Sequence, residues 1–272
     1  MRIQPLALTG AAIAAFAMIA WAQALPPTAV PGGRMTDPPK GTKAKPTPRL
    51  ADGKPDLGNG AGAWNPRTVV NLGGGGRQGP ARSPVEKQVE VPMLPWTNAF
   101  YEKAQDNLGI DDPEARCLPP GIPRMQATPF PFQMYQLPDR IIQVWEGGAH
   151  MWRIIPMDGK PHSKDPELTY LGEPRGRWEG DTLVVDVIGF NDRTWLDQDG
   201  HPHSDKLHVI EKYTRLDELT MRYEFIIDDP GAYSATWGNS YLIPFVPGGE
   251  LDRKSTRLNS SHSQQSRMPS SA

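Results

Sequence analysis

Between Phe130 and Leu251, apolar and polar residues alternate in short runs broken by turn formers. Alternation with a period of two places side chains on opposite faces of a strand, so these runs read as half-buried strands. The pattern predicts strands at Phe132–Leu137, Arg140–Glu146, Ala149–Pro156, Arg175–Trp178, Thr182–Gly189, Leu207–Arg215, Leu219–Asp228 and Asn239–Phe245. The gaps are too short for crossover helices, so the strands pair antiparallel. The expected class is all-β, an antiparallel meander over residues 128–251 forming a lipocalin-like barrel or a sandwich. Upstream, Trp96, Phe100, Ala104 and Leu108 recur at i+4 and predict one short amphipathic helix, with a connector to residue 127.

Turn residues set which side chains face each other. A two-residue Gly147-Gly148 turn places Trp145 opposite His150, Gln143 opposite Trp152 and Ile141 opposite Ile154. One face then carries two indoles around one imidazole, which reads either as a binding patch or as a core histidine with a hydrogen-bond partner. Gly180-Asp181 places Trp178 opposite Leu183 and Arg175 opposite Asp186, so Asp186 is either a catalytic carboxylate or half of a cross-strand ion pair. In the third hairpin, a two-residue loop would set Glu211 against Glu224. A three-residue Leu216–Glu218 loop aligns the apolar positions instead and turns Glu211 inward opposite Tyr223, with His208 outside. An inward carboxylate needs a partner or a raised pKa, which makes Glu211 a candidate.

Composition divides the chain into unlike parts. Met1–Ala24 combines an early Arg2, an apolar run and Ala22-Gln23-Ala24, the pattern of a secretory signal peptide, so the expected location is periplasmic or secreted. Residues 25–95 hold 13 Pro and 12 Gly, including the Gly73–Gly76 run, and are expected to form irregular linker or surface wrap. Asp252–Ala272 reads as the translation of a sequencing adapter and is expected to be foreign and disordered. Without both ends the balance is 24 Lys and Arg against 30 Asp and Glu, near −6, with no basic cluster. Nucleic acid is therefore excluded as a partner, and no integral membrane segment is expected after signal cleavage. The lone Cys117 points to a reactive thiol or to a partner beyond Leu251.

Five histidines, His150, His162, His201, His203 and His208, fall within 59 residues. His201-Pro-His203 on extended chain would place two rings on one side, a pattern that suits a divalent metal with Asp197, Asp199 or His208; a polar exposed loop is the alternative. No serine-hydrolase elbow, zinc-peptidase helix or dinucleotide fingerprint is present.

Several segments carry a family resemblance. They are Pro48–Leu57, Cys117-Leu-Pro-Pro-Gly-Ile-Pro-Arg124, Met157-Asp-Gly-Lys-Pro-His162, Gly176-Arg-Trp-Glu-Gly-Asp-Thr-Leu-Val-Val-Asp186, Gly189-Phe-Asn-Asp192, Thr194-Trp-Leu-Asp197 and His201-Pro-His-Ser204 with Leu207-His208. Together they resemble a large family of exported proteins from environmental bacteria that has no agreed activity. The resemblance implies export and a chain that runs on past Leu251.

Two functional classes follow. One is an exported β domain binding an apolar or aromatic small molecule, with Gln143, Trp145, Trp152 and Tyr223 as ligand-binding residues. The other is a small-molecule lyase, isomerase or hydrolase using His150, Glu211 and Asp192 as acid–base groups. No cofactor is the first expectation, with a divalent metal on His201 and His203 as the alternative.

Overall fold

The structure, a computed structural model, describes residues 43–74 and 85–251. Met1–Ala24, expected to be a signal peptide, and Asp252–Ala272, expected to be foreign, lie outside the described residues, as does part of the glycine run. Among the described residues nine strands form one antiparallel sheet: β1 (Gly62–Trp64), β2 (Phe132–Gln136), β3 (Arg140–Trp145), β4 (Trp152–Pro156), β5 (Glu173–Glu179), β6 (Thr182–Ile188), β7 (His208–Arg215), β8 (Thr220–Asp228) and β9 (Trp237–Pro247). Their spatial order is β4-β3-β2-β1-β9-β8-β7-β6-β5, which curls into a nearly closed barrel. The outer two strands come close: a Cβ at Gly176 on β5 would lie 2.8 Å from Ile155 Cγ2 on β4. The all-β antiparallel expectation is therefore met, and of the barrel and the sandwich it is the barrel that forms.

Strand faces follow the alternation. On β7 and β8 every second residue is buried, and Val209, Glu211 and Tyr213 share the interior with Tyr223, Phe225 and Ile227. The connection after Arg215 is longer than the expected three residues, so Glu211 pairs with Phe225 and Tyr213 with Tyr223. The register moves by two, which leaves every side chain on its expected face. The β5–β6 register is as expected, with Trp178 opposite Leu183 and Arg175 opposite Asp186.

At β4 the faces change. The chain between β3 and β4 makes one helical turn, α2 (Gly147–His150), in place of a tight two-residue turn. Gln143 consequently pairs with Arg153, and Val144 with Trp152. A one-residue slip exchanges the faces of a strand. Trp152 and Ile154 lie outside, at 59% and 37% exposure, while Arg153 and Ile155 point inward.

Residues 43–74 also depart from the linker expectation. Leu57, Trp64, Val70 and Leu72 are fully buried, and β1 is the strand that joins β2 to β9. Few apolar residues suffice because polar groups elsewhere hold this irregular backbone. Arg215 Nη1 donates to the Asp56 carbonyl at 2.5 Å, and Gln136 Oε1 accepts from Leu57 N–H at 2.6 Å. The Arg215 guanidinium also stacks over Trp64 and Phe245.

The helix α1 (Pro95–Asp106) starts with Pro at N1, where no hydrogen bond is lost. Only Thr97 and Ala104 of this helix are buried. Trp96 and Phe100 are 46% and 39% exposed, so the aromatic stripe lies beside the barrel rather than under it.

Two stability outcomes follow. Trp64→Ala should cost about 3–5 kcal/mol in denaturant unfolding, as for a core aromatic; a surface wrap would lose well under about 1 kcal/mol. Arg153→Met should cost about 3–5 kcal/mol by leaving Glu211 buried and unpaired, and adding Glu211→Leu should restore most of that loss.

Candidate functional site

The barrel interior brings together Gln143, Trp145, Glu211 and Tyr223, all expected there, but with Arg153 in the place expected for His150 and Trp152. Arg153 Nη2 lies 2.7 Å from Glu211 Oε2. Tyr213 and Tyr223 donate to Glu211 Oε1 at 2.6 and 3.0 Å, and Arg153 Nε donates to Gln143 Oε1 at 3.0 Å. Gln126, from the short helical turn Arg124–Gln126, donates to the Tyr213 hydroxyl at 2.8 Å. Burial alone would favour loss of the Arg153 proton, yet the Glu211 carboxylate outweighs it and raises the arginine pKa. Burial, reinforced by Glu211, also raises Tyr213 and Tyr223 far above the ordinary tyrosine value. Protons are thus held in place, and the interior carries a buried polar-aromatic cluster. His150 ends α2 at φ 60°, half-buried, and is not on β4. The expected Trp145–His150–Trp152 patch does not assemble.

A second locus is assembled by residues that alternation does not mark. A cleft of about 540 Å³ lies between α1, residues 111–116 and the stretch from Asp192 to His203. Its walls include Trp96, Phe100 and Trp195, with Lys103, Arg116 and Arg193 as cations and Asp111 and Asp192 as anions. Phe100 meets Trp195 edge-on at 5.9 Å, and Trp96 Nε1 donates to the Gly231 carbonyl at 2.9 Å. The 111–116 wall is set by Arg124, which is buried and paired with Asp112 and Glu114 at 2.6 and 2.8 Å. Arg116 pairs with Asp111 at 3.1 Å, whereas no described residue makes an ion pair with Lys103 or Arg193.

Thr194 and His203 line the same cleft. Thr194 Oγ1 lies 2.8 Å from His203 Nε2, and His203 Nδ1 lies 3.0 Å from the Ser204 carbonyl oxygen. Burial lowers the His203 pKa, against the opposing pull of Asp229 and Asp192, so the ring is neutral near pH 7. The sequence candidates Asp192 and His203 therefore meet here.

In the rest of the histidine-rich stretch Asp197, Asp199 and His201 are buried, contrary to an exposed polar loop. His201 Nδ1 lies 2.8 Å from Asp197 Oδ2, and Tyr101 of α1 stacks on the ring at 4.5 Å. Burial opposes charge on both partners, but their mutual attraction lowers Asp197 and raises His201. The His201 and His203 rings thus engage different partners, and among the described residues no group of three or more His, Cys, Asp and Glu is arranged to hold a metal ion. This corrects the paired-ligand expectation for His201 and His203. Asp186 also differs from expectation: its Oδ1 lies 3.0 Å from His162 Nε2 and 2.8 Å from His208 Nε2, while Arg175 bonds Glu173. Cys117 is exposed at the end of the Pro113–Arg116 turn.

Sequence reasoning missed Arg153, Thr194 and the aromatic face of α1. One signal for Arg153 was available, because an inward Glu211 calls for an inward cation. No protein-family model, curated protein or solved structure matches the chain.

Asp199 supplies a pH test. Burial, with the Asp197 charge adding to it, pushes its pKa up to about 7. A carboxyl whose folded pKa exceeds its unfolded value stabilises the fold at low pH and loses that contribution as pH rises through the folded pKa. Melting temperature should therefore fall between about pH 4 and about pH 7 and level off above, and Asp199→Asn should flatten that fall. An unchanged slope in the variant would remove Asp199 as its source.

Proposed function

We propose that this chain is an exported β-barrel domain that binds an aromatic small molecule carrying an acidic group, in the cleft beside α1. The observation that carries the reading is the juxtaposition in one cleft of Trp96, Phe100 and Trp195 with Lys103 and Arg193. Aromatic walls with a few placed polar groups are the usual make-up of a small-molecule site. Two further features support it. The polar groups of the barrel interior are engaged with one another around the buried Arg153–Glu211 pair, whereas the cleft presents the exposed Lys103 and Arg193. Asp192, Thr194, Trp195, Pro202 and His203 all come from segments that carry the resemblance to exported bacterial proteins. Export itself rests on the Met1–Ala24 pattern.

The test is a titration of tryptophan fluorescence and heat with 2-naphthoate and with neutral 2-naphthol. Both should bind, 2-naphthoate more tightly. Trp96→Ala should weaken both by about tenfold or more, equivalent to about 1.4 kcal/mol. Arg193→Gln should weaken 2-naphthoate selectively. Absence of saturable binding by either compound, or binding indifferent to Trp96, would overturn the reading.

A further inference from the structure

We propose that Thr194 and His203 form a nucleophile–base pair in the cleft wall, making the domain an esterase for aromatic esters that bear a carboxylate. The inference rests on the cleft being the binding site. It adds an activity to binding.

The hydrogen-bond chain fixes the roles. The Ser204 carbonyl oxygen can only accept, so His203 Nδ1, 3.0 Å away, carries the ring proton. In the neutral ring Nε2 then presents its lone pair, and the Thr194 hydroxyl 2.8 Å away donates to it. A hydroxyl, an imidazole and an acceptor that orients the imidazole are the three parts of an activated alcohol nucleophile. Burial surrounds this pair, with His203 4% exposed and Thr194 5% exposed. Asp192 and Asp229 lie near enough to stabilise the imidazolium once it forms. Trp96, Phe100 and Trp195 provide the faces for an aromatic ring, and Arg193 and Lys103 the charge for a carboxylate.

The reaction balances without a further reagent. Thr194 Oγ1 adds to the ester carbonyl carbon while its proton passes to His203 Nε2. The bond from that carbon to the alcohol oxygen breaks, and the departing oxygen takes the proton from Nε2. Water then gives a proton to Nε2 and adds to the acyl-threonine. Cleavage of that ester frees the acid, and the proton returns to Thr194. Ester and water become acid and alcohol.

The test uses the full chain with 6-acetoxy-2-naphthoate. The expected result is release of 6-hydroxy-2-naphthoate, with an acetyl group located by mass spectrometry on the peptide containing Thr194. Thr194→Ser should retain turnover. Thr194→Val should abolish it, and His203→Gln should slow it by about 100-fold or more. If 2-naphthoate binds the wild-type chain but Thr194 is never acetylated, or if Thr194→Val still turns over, the nucleophile–base pair is overturned and the binding reading stands. If 2-naphthoate does not bind at all, the cleft reading fails first. Acetylation confined to lysines also overturns the inference.

Discussion

The ion pair between Arg153 and Glu211 joins the two sides of the barrel where backbone pairing does not. Hydrogen-bonded ladders run continuously from β4 round to β5, which leaves a seam between those two strands. Arg153 stands on β4, at one lip of the seam, and Glu211 on β7, two strands in from the other. Their 2.7 Å contact therefore spans the gap through the interior. Two desolvated charges gain little net energy over an apolar pair of equal volume. Their value lies in specificity, because only one register of β4 brings the guanidinium to the carboxylate. Tyr213, Tyr223 and Gln143 then take their hydroxyl and amide orientations from that pair.

The same pair explains where alternation in the sequence was decisive and where it was not. On β7 and β8 most apolar residues share one parity, Ile210 and Ile226 being the exceptions, so the inward face was legible, Glu211 included, even though the loop length was not. On β4 both parities are apolar, with Trp152 and Ile154 on one and Ile155 on the other. Hydrophobicity cannot choose between them, and the choice passed to the turn. Gly147 and Gly148 suit a tight hairpin, but the chain instead takes a helical turn that adds a residue. The tertiary demand of Glu211 for a cation prevailed over the local turn preference.

The cleft was harder to read for a different reason. Its walls come from residues 96–116 and 192–203, which share no strand and no period. Asp192, His201 and His203 were visible as reactive residue types, but their partners were not. A hydrogen bond such as Thr194 to His203 depends on how an irregular loop folds back, and no repeat in the sequence encodes that. Residues 43–74 are irregular as expected apart from β1, but their burial was not legible, for a similar reason. Average composition gave no weight to four well-placed apolar side chains, Leu57, Trp64, Val70 and Leu72, which the core absorbs completely.

Helix α1 is fastened to the barrel by a few discrete ties rather than by a broad apolar face. Trp96 reaches Gly231, Thr97 reaches Ala232, Gln105 reaches Asp199, and Phe100 abuts Trp195. An element held this way detaches locally at a much lower free energy than a barrel strand. The helix is also one wall of the cleft, so the cleft can widen without any strand leaving the sheet. Residence time in the cleft is then governed by how often those ties let go together, and substitutions at Gln105 or Thr97, remote from any bound molecule, would act on the dissociation rate.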